Sequence, residues 1–288
     1  MGAKNSKIYL SAYILLCGME LNSLLFSKSS RKLFLKENFI RSKIKHFLWK
    51  SLFRVENWSN ATQETNGEHF FLGHIETSTP IVFFDVGANV GSYTRQILSQ
   101  NPYAIGHVFE PSPKSFDFLK KEFGSKQNIY LQNVAVSSSP GEADLYYEEE
   151  GSSWSSLYKR DISEYGLSMD KSSSVKKITL EEYIEQTKLT HVDLIKIDVE
   201  GHELEVLKGM GRFLSPHFVD CIQFEYGECS IDSRIYLRDI YKLLEPAEFV
   251  IYKIMPNGLL HCRYRLILEN HQYANFVAIA RKHDAAFL

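Results

Sequence analysis

The sequence predicts an α/β fold, a mostly parallel sheet covered by helices on both faces, preceded by a basic helical extension. Three observations predict it. Short runs of β-branched and aromatic residues alternate with amphipathic helical patterns through the body of the chain, from about residue 81 to 280. The polar motifs fall at the carboxyl ends of those runs, where open α/β sheets hold their ligands. The charge changes sign near Arg54: residues 1–54 carry 11 Lys and Arg against two Glu, a net of +9, whereas the remainder carries 22 basic and 33 acidic side chains, a net of −11. The expected organisation is therefore an extension over residues 1–55 and one domain over 56–288.

The extension opens with "IYLSAYILLCG" (Ile8 to Gly18), too short to span a bilayer, and prolonging it to Phe26 brings in Glu20 and Asn22, which are costly in a membrane. "MGAKNS" fits the loose pattern for N-myristoylation through Gly2 and Ser6. Further on, Ile40, Ile44, Phe47, Leu48 and Leu52 recur at helical spacing among lysines and arginines. That pattern suits either a helix lying on an anionic membrane or a cap packed on the protein's own acidic body. The expectation is a cytoplasmic chain with peripheral membrane contact through residues 1–54. The acidic body argues against a nucleic-acid partner, since phosphates are neutralised by basic clusters. The four cysteines, Cys17, Cys221, Cys229 and Cys262, show neither C-x-x-C nor zinc-ligand spacing and read as reduced thiols.

In the body, "IVFFDV" (Ile81 to Val86) is the first strand and Ser92 to Ser99 the first helix. "AIGHVFE" (Ala104 to Glu110) is the second strand, stopped by Pro111, and "PKSFDFLKKEFG" is an amphipathic helix ended by Gly124. "NIYLQNVAVSSSPGEADLYY" reads as a third strand, a turn at Pro140-Gly141 and a hairpin-like partner. Then follow the helix "ITLEEYIEQ", the buried strand "HVDLIKIDVEG", the helix "ELEVLKGMG", the strand "VDCIQFEYG", the helix "SRIYLRDIYKLLEP" and the strands "FVIYKI" and "NFVAIA".

The loop after the first strand selects a ligand class. A dinucleotide fingerprint needs glycines at 87, 89 and 92, but the chain has Gly87, Asn89 and Ser92; a phosphate loop needs a lysine after the second glycine, but Ser92-Tyr93 follows Gly91. What remains, D-x-G-x-x-x-G from Asp85 through Gly87, Ala88 and Asn89 to Gly91, suits a ligand with an amino-acid carboxylate and no pyrophosphate, such as S-adenosylmethionine. Unpaired N–H groups at the following helix start are expected to help hold it. Glu110, 25 residues after Asp85, ends the second strand, where a carboxylate accepts hydrogen bonds from both ribose hydroxyls. Asn133, after the third strand, falls near an adenine edge. The plainer readings are a glycine turn that only packs strand on helix and a solvated Glu110.

"FFDVGANVGSYT", "VFEPSP", "NVAVSSSPGEADLYY", "ITLEEYI" and "DLIKIDVEGHELEVLKGM" together resemble, in order and spacing, the FkbM-type methyltransferases, over about Ile81 to Ala280. The resemblance implies a Rossmann-like class I methyltransferase sheet of seven strands, the last antiparallel. It also implies S-adenosylmethionine as methyl donor and O-methylation of a hydroxyl on a sugar, glycan or small molecule. By position it places Asp85, Gly87, Ala88, Asn89 and Gly91 around the methionine, Glu110 with Pro111 at the ribose, Asn133 and Val134 at the adenine, and Asp198 at the methionine end. The chain departs from the family's pattern at Glu181-Glu182, where an aspartate pair is usual, and at His202, where many relatives carry a small residue.

Methyl transfer from a sulfonium is mostly a matter of alignment and desolvation, but a hydroxyl acceptor must also lose a proton. The candidates for that task are Asp198, Glu200 and His202, at the end of the most strongly apolar strand, with Glu225 as a further strand-end carboxylate. Each has a plainer role: Asp198 bonding the methionine ammonium, Glu200 capping the next helix, His202 exposed in its first turn, Glu225 paired with a cation. Asp198 and Glu200 are also oxygen ligands of the kind Mg²⁺ takes, although no further ligands are evident. Tyr147, Trp154 and Tyr158 flank the serine-rich "GSSWSSL", which reads as a lid over a sugar or as a surface loop. Two other classes fit parts of the pattern: a membrane-attached binding module without activity and, less well, a nicotinamide enzyme.

Overall fold

The computed structural model describes residues 39–75 and 79–286. The chain divides between Trp49 and Lys50 into two units. Helix α1 (Phe39–Glu56) runs across that division. The apolar run Ile8 to Gly18 with Cys17, and the Gly2 and Ser6 pattern, lie outside the described residues. Cys221, Cys229 and Cys262 are free thiols, and no helix among the described residues is long and apolar enough to cross a membrane.

Two short helices, α2 (Gln63–Asn66) and α3 (Glu68–Leu72), lead into the alternating body. There β1 (Val82–Val86), α4 (Ser92–Gln100), β2 (Ile105–Phe109), α5 (Pro113–Phe123) and β3 (Ile129–Gln132) follow one another as their sequence periods require. Ser112 caps α5 by accepting from Ser115 N, with Pro113 at the first helical position. After β4 (Ala135–Val136), β5 (Gly141–Tyr147) and β6 (Lys171–Ile178) come α6 (Leu180–Thr187), capped by Thr179, and β7 (Val192–Ile197). The chain continues through α7 (Glu203–Lys208), β8 (Val219–Tyr226), α8 (Cys229–Ser233), α9 (Leu237–Leu244), β9 (Phe249–Met255), β10 (Gly258–His261) and β11 (Ala274–Ala280).

The main sheet has the order β10-β9-β11-β8-β7-β1-β2-β3. Neighbours from β3 to β8 are parallel, while β11 is antiparallel to both β8 and β9, and β10 is antiparallel to β9. The Rossmann-like class I architecture is present, but with eight strands of mixed direction in place of seven. The added strand arises because Pro256-Asn257 closes a hairpin that pairs Met255 with Gly258. The hairpin expected at Pro140-Gly141 also differs. β5 pairs in antiparallel register with β6, "KSSSVKKI", which also pairs with β4 to make a separate three-stranded sheet. Its lysines and serines are mostly exposed, so β6 lacks the apolar alternation that marks the other strands.

Adjacent residues of each strand feed opposite cores. Phe84, Ile195, Ile222 and Phe224 meet α6, α7 and α9 through Tyr183, Leu207 and Ile240, while Phe83, Leu194 and Val277 meet α3, α4 and α5 through Phe71, Ile97 and Phe123. Both faces being covered, the carboxyl ends of the parallel strands are left as the natural recess.

Candidate active site

A cavity of about 850 Å³ lies at the carboxyl ends of β1, β2, β7 and β8. It falls within the roughly 300–1,000 Å³ range of small-molecule sites. Among the expected residues, Gly87, Asn89, Glu110, Pro111, Val134, Asp198, Glu200 and His202 line it; Asp85, Ala88, Gly91 and Asn133 do not. Those four act one layer back. Asp85 is buried, accepts a 2.6 Å hydrogen bond from Thr94 Oγ1 that ties β1 to α4, and is pushed up to about 6 by burial. Asn133 Nδ2 donates to the carbonyls of Glu110 (2.8 Å) and Pro111 (3.1 Å), fixing the loop after β2.

The glycine loop is folded onto protein. Gly87 and Gly91 have φ of +84° and +80°; a Cβ on Gly87 would stand 1.8 Å from Asp198 O, and one on Gly91 2.5 Å from Phe123 Cε2. The amides of Gly87 and Ala88 donate to Phe109 O, and Gly91 N donates to Ala88 O. These loop amides are thus spent on protein acceptors, and the two glycines serve close packing. Asn89 N donates to Glu110 Oε2 at 2.8 Å, and Ser112 N to Glu110 Oε1 at 2.7 Å. Glu110 is thus held in the cavity wall, 6% exposed, and burial pushes its carboxyl up to about 7 against those two bonds.

The candidates after β7 separate by environment. Glu200 does not cap α7. It takes a left-handed backbone (φ 51°) and accepts at 2.5 Å from Nη1 of Arg160, a buried side chain whose Nη2 lies 3.9 Å from Glu228. Loop N–H groups of Val199 and Gly201 are instead taken by Glu203 Oε1 (3.3 and 3.1 Å), a residue the sequence reading passed over. His202 is not an exposed first-turn residue. It is buried, with Nδ1 3.0 Å from Tyr158 Oη and Nε2 3.0 Å from Ser137 Oγ, and burial pushes its pKa down to about 4. Asp198 remains partly open to the cavity and accepts from Lys196 Nζ at 2.9 Å. Glu225 lines the same end, 3.4 Å from Lys196 Nζ and accepting from Tyr273 Oη at 2.8 Å.

Lys196, Arg160, Tyr273 and Glu68 are site residues that sequence reasoning missed. Lys196 and Arg160 are cations inside apolar or serine-rich runs, and nothing local announces their partners. The "GSSWSSL" segment is pinned: Ser156 exchanges backbone hydrogen bonds with Tyr146 (2.8 and 3.0 Å), and its Oγ donates to Glu200 O at 2.7 Å. Trp154 and Tyr165 line the cavity with ring centroids 4.8 Å apart, and the Arg160 guanidinium lies 5.4 Å from the Trp154 centroid. Tyr147 packs instead against the core of the small sheet. A His/Asp group at the opposite end of the sheet gathers His191, Asp193 and Asp220, but Asp220 there is already held by His191, Lys282 and His283 at 2.9–3.0 Å.

Known proteins with similar sequences bear on this site. The chain is 30% identical over 168 residues to a hexuronic acid methyltransferase, AglP, of Haloferax volcanii, covering 58% of this chain and 62% of the relative. It is 28% identical over 186 residues to the 2-O-methyltransferase NoeI of Sinorhizobium fredii, covering 61% and 75%, and 28% identical over 159 residues to a methyltransferase, sdnD, of Sordaria araneosa, covering 46% and 61%. The match thus spans a little under two thirds of the length of the first and third of these. A family model, Methyltransferase FkbM domain, matches residues 85–273, from the aspartate that ties β1 to α4 as far as the tyrosine that holds Glu225. With that span covering most of the chain and the carboxyl ends of β1, β2, β7 and β8 around the cavity, the chain belongs to the FkbM-domain methyltransferase family.

Proposed function

We propose that the protein is an S-adenosylmethionine-dependent O-methyltransferase whose acceptor is a hydroxyl of a sugar or glycan. The observation that carries this reading is the pairing of Glu110 and Asp198 at two walls of one cavity. Glu110 is held by Asn89 and Ser112, one donor on each oxygen, with its carboxylate at the cavity surface, and each oxygen keeps a second lone pair that a ribose hydroxyl would engage. Asp198 offers an acceptor for an ammonium group. Val134, near Pro111 in the same wall, gives an apolar face for the adenine. The donor set suits a molecule with a ribose and an amino-acid end, and when bound that molecule supplies an activated methyl group; the chain's own task is to orient it and exclude water.

The acceptor class rests on the relatives' names, a hexuronic acid methyltransferase and a 2-O-methyltransferase, and on the Trp154–Tyr165 pair, whose rings in the cavity wall suit the apolar face of a sugar. Calorimetric titration of the full chain with S-adenosylmethionine, followed by a radiolabelled methyl-transfer screen against glycans and lipids, tests the reading. Saturable binding and label on a glycan hydroxyl are expected; no binding heat, or label on protein or nucleic acid, contradicts it. We place the protein in the cytoplasm, with residues 1–55 as a helical extension that meets the membrane surface. The basic composition of that segment and helix α1 support this, and sedimentation with anionic vesicles before and after removal of residues 1–54 tests it.

A further inference from the structure

At one end of the cavity Lys196 and Tyr273 both meet the same oxygen of Glu225 and leave its other oxygen without a donor. Lys196 projects from β7, 2% exposed, with Nζ 2.9 Å from Asp198 Oδ2, 3.4 Å from Glu225 Oε1 and 5.5 Å from the centroid of the Tyr93 ring. Tyr273 Oη donates to the same Glu225 Oε1 at 2.8 Å and accepts from Asn275 Nδ2 at 3.1 Å. Tyr93 Oη donates to Gln223, whose amide donates to Glu68 on α3 at 2.6 Å. Both donors therefore meet Oε1 of Glu225. No donor among the described residues holds Oε2, which is not a sealed, orphaned atom, and Glu225 lines the cavity. Of the other candidate bases, His202 is committed through both ring nitrogens, Glu200 to Arg160, and Asp198, which accepts from Lys196 through Oδ2, is the acceptor assigned above to the ligand's ammonium group.

The geometry points to Glu225 as the group that takes the proton of the acceptor hydroxyl, with Lys196 and Tyr273 as its positioning residues. This rests on the reading of the site as one of methyl transfer. An oxygen lone pair of the acceptor forms the new C–O bond as the C–S bond breaks, the C–S pair stays on sulfur, and the hydroxyl proton passes to Glu225 Oε2. The charges around Glu225 are Asp198 and Lys196 from the β7 end, Glu68 from α3, and the weakly acidic Tyr273 and Cys229. One ammonium serves three carboxylates there, and burial together with the Asp198 charge pushes the Glu225 carboxyl well up. A cationic ligand beside Asp198 acts in the opposite direction and favours the ionised, proton-accepting form of Glu225 in the complex.

The test reads the proton directly and needs no acceptor. The full chain is titrated at pH 7.5 with S-adenosylmethionine and, separately, with S-adenosylhomocysteine, each in two buffers of different ionisation enthalpy. Wild type is expected to release a proton fraction with the sulfonium and at most half as much with the uncharged thioether. Glu225→Gln is expected to bind within about threefold of wild type while losing at least half of that release. Tyr273→Phe, which keeps the carboxylate and removes one hydrogen bond, is expected to move the pH midpoint of release upward. Equal release from the two ligands, or release unchanged in Glu225→Gln, overturns the assignment. An unmoved midpoint in Tyr273→Phe removes the positioning role of Tyr273. Absence of any binding to wild type is a different result: it sinks the methyl-transfer reading itself, and this inference with it.

Discussion

Glu110 concentrates the chemistry of the site in one side chain, since its two oxygens both position the loops around it and face the cavity. Glu110→Ala is expected to weaken S-adenosylmethionine binding by about 3 kcal/mol, more than a hundredfold in Kd, through loss of charge-assisted hydrogen bonds. Titration calorimetry measures it; a change under fivefold would show that Glu110 only holds Asn89 and Ser112. In the wild type the same carboxyl sits near 7, and only its ionised form accepts from two hydroxyls. Binding is therefore expected to weaken by up to tenfold per pH unit below 7, a dependence that the Ala variant lacks. What is legible in the sequence at this scale is whatever a local run can carry. Gly87, Glu110 and Asp198 stand at strand ends, so their place in the cavity follows from strand periodicity alone. The burial of His202 depends on Tyr158 and Ser137, and the role of Lys196 on Tyr273, contacts of 44 to 65 residues or more in separation that no spacing rule encodes.

Among the elements, the crossing of the β1–α4 loop over the end of β7 is the tightest. Gly87→Ala would drive a methyl group into Asp198 O at a φ of +84°. It is expected to cost about 2–4 kcal/mol, read from the midpoint of denaturant unfolding. At the opposite end of the sheet, Asp220 on β8 collects His191 from ahead of β7 and Lys282 and His283 from beyond β11. Burial pushes its carboxyl up, but the Lys282 hydrogen bond and the His191 and His283 charges outweigh it and hold it below the usual range. A depressed carboxyl contributes stability above its unfolded pKa and loses it as the pH falls through the folded value. Asp220→Asn is accordingly expected to cost about 1 kcal/mol at pH 7, and less as the pH is lowered from about 4 through the folded value of the wild-type carboxyl, by thermal unfolding across that range. The strands and helices that build the main sheet are legible because each buries one face or both. β6 and β10 are not: β6 shows lysines and serines to solvent, and β10 is a four-residue edge defined by its hairpin partner.

At the scale of the whole molecule, the cavity loads the fold with acids that are uncomfortable when ionised. Burial pushes Glu110 and Glu203 up to about 7 and Asp85 up to about 6. Each holds a proton in the folded chain at a pH where the unfolded chain has lost it. The folded state then binds more protons, so stability falls as the pH rises through this window. The buried histidines act in the other direction: burial pushes His107 and His202 down to about 4, so each opposes folding only as the pH drops below the unfolded value near 6.5. Above pH 6.5 the acids dominate. The ligand-free protein is therefore expected to be about 1 kcal/mol less stable at pH 8 than at pH 6.5, a fall of a few degrees in Tm at constant ionic strength. Saturating S-adenosylmethionine, which brings hydroxyl donors to Glu110 and positive charge toward Asp198, is expected to raise Tm more at pH 8 than at pH 6.5 and so flatten the slope. A ligand-free Tm that rises between pH 6.5 and 8 would mean that these carboxyls are ionised in the empty cavity. The fold would then carry their charge without help from a ligand, and the burial of Glu110 would no longer argue for a bound ribose.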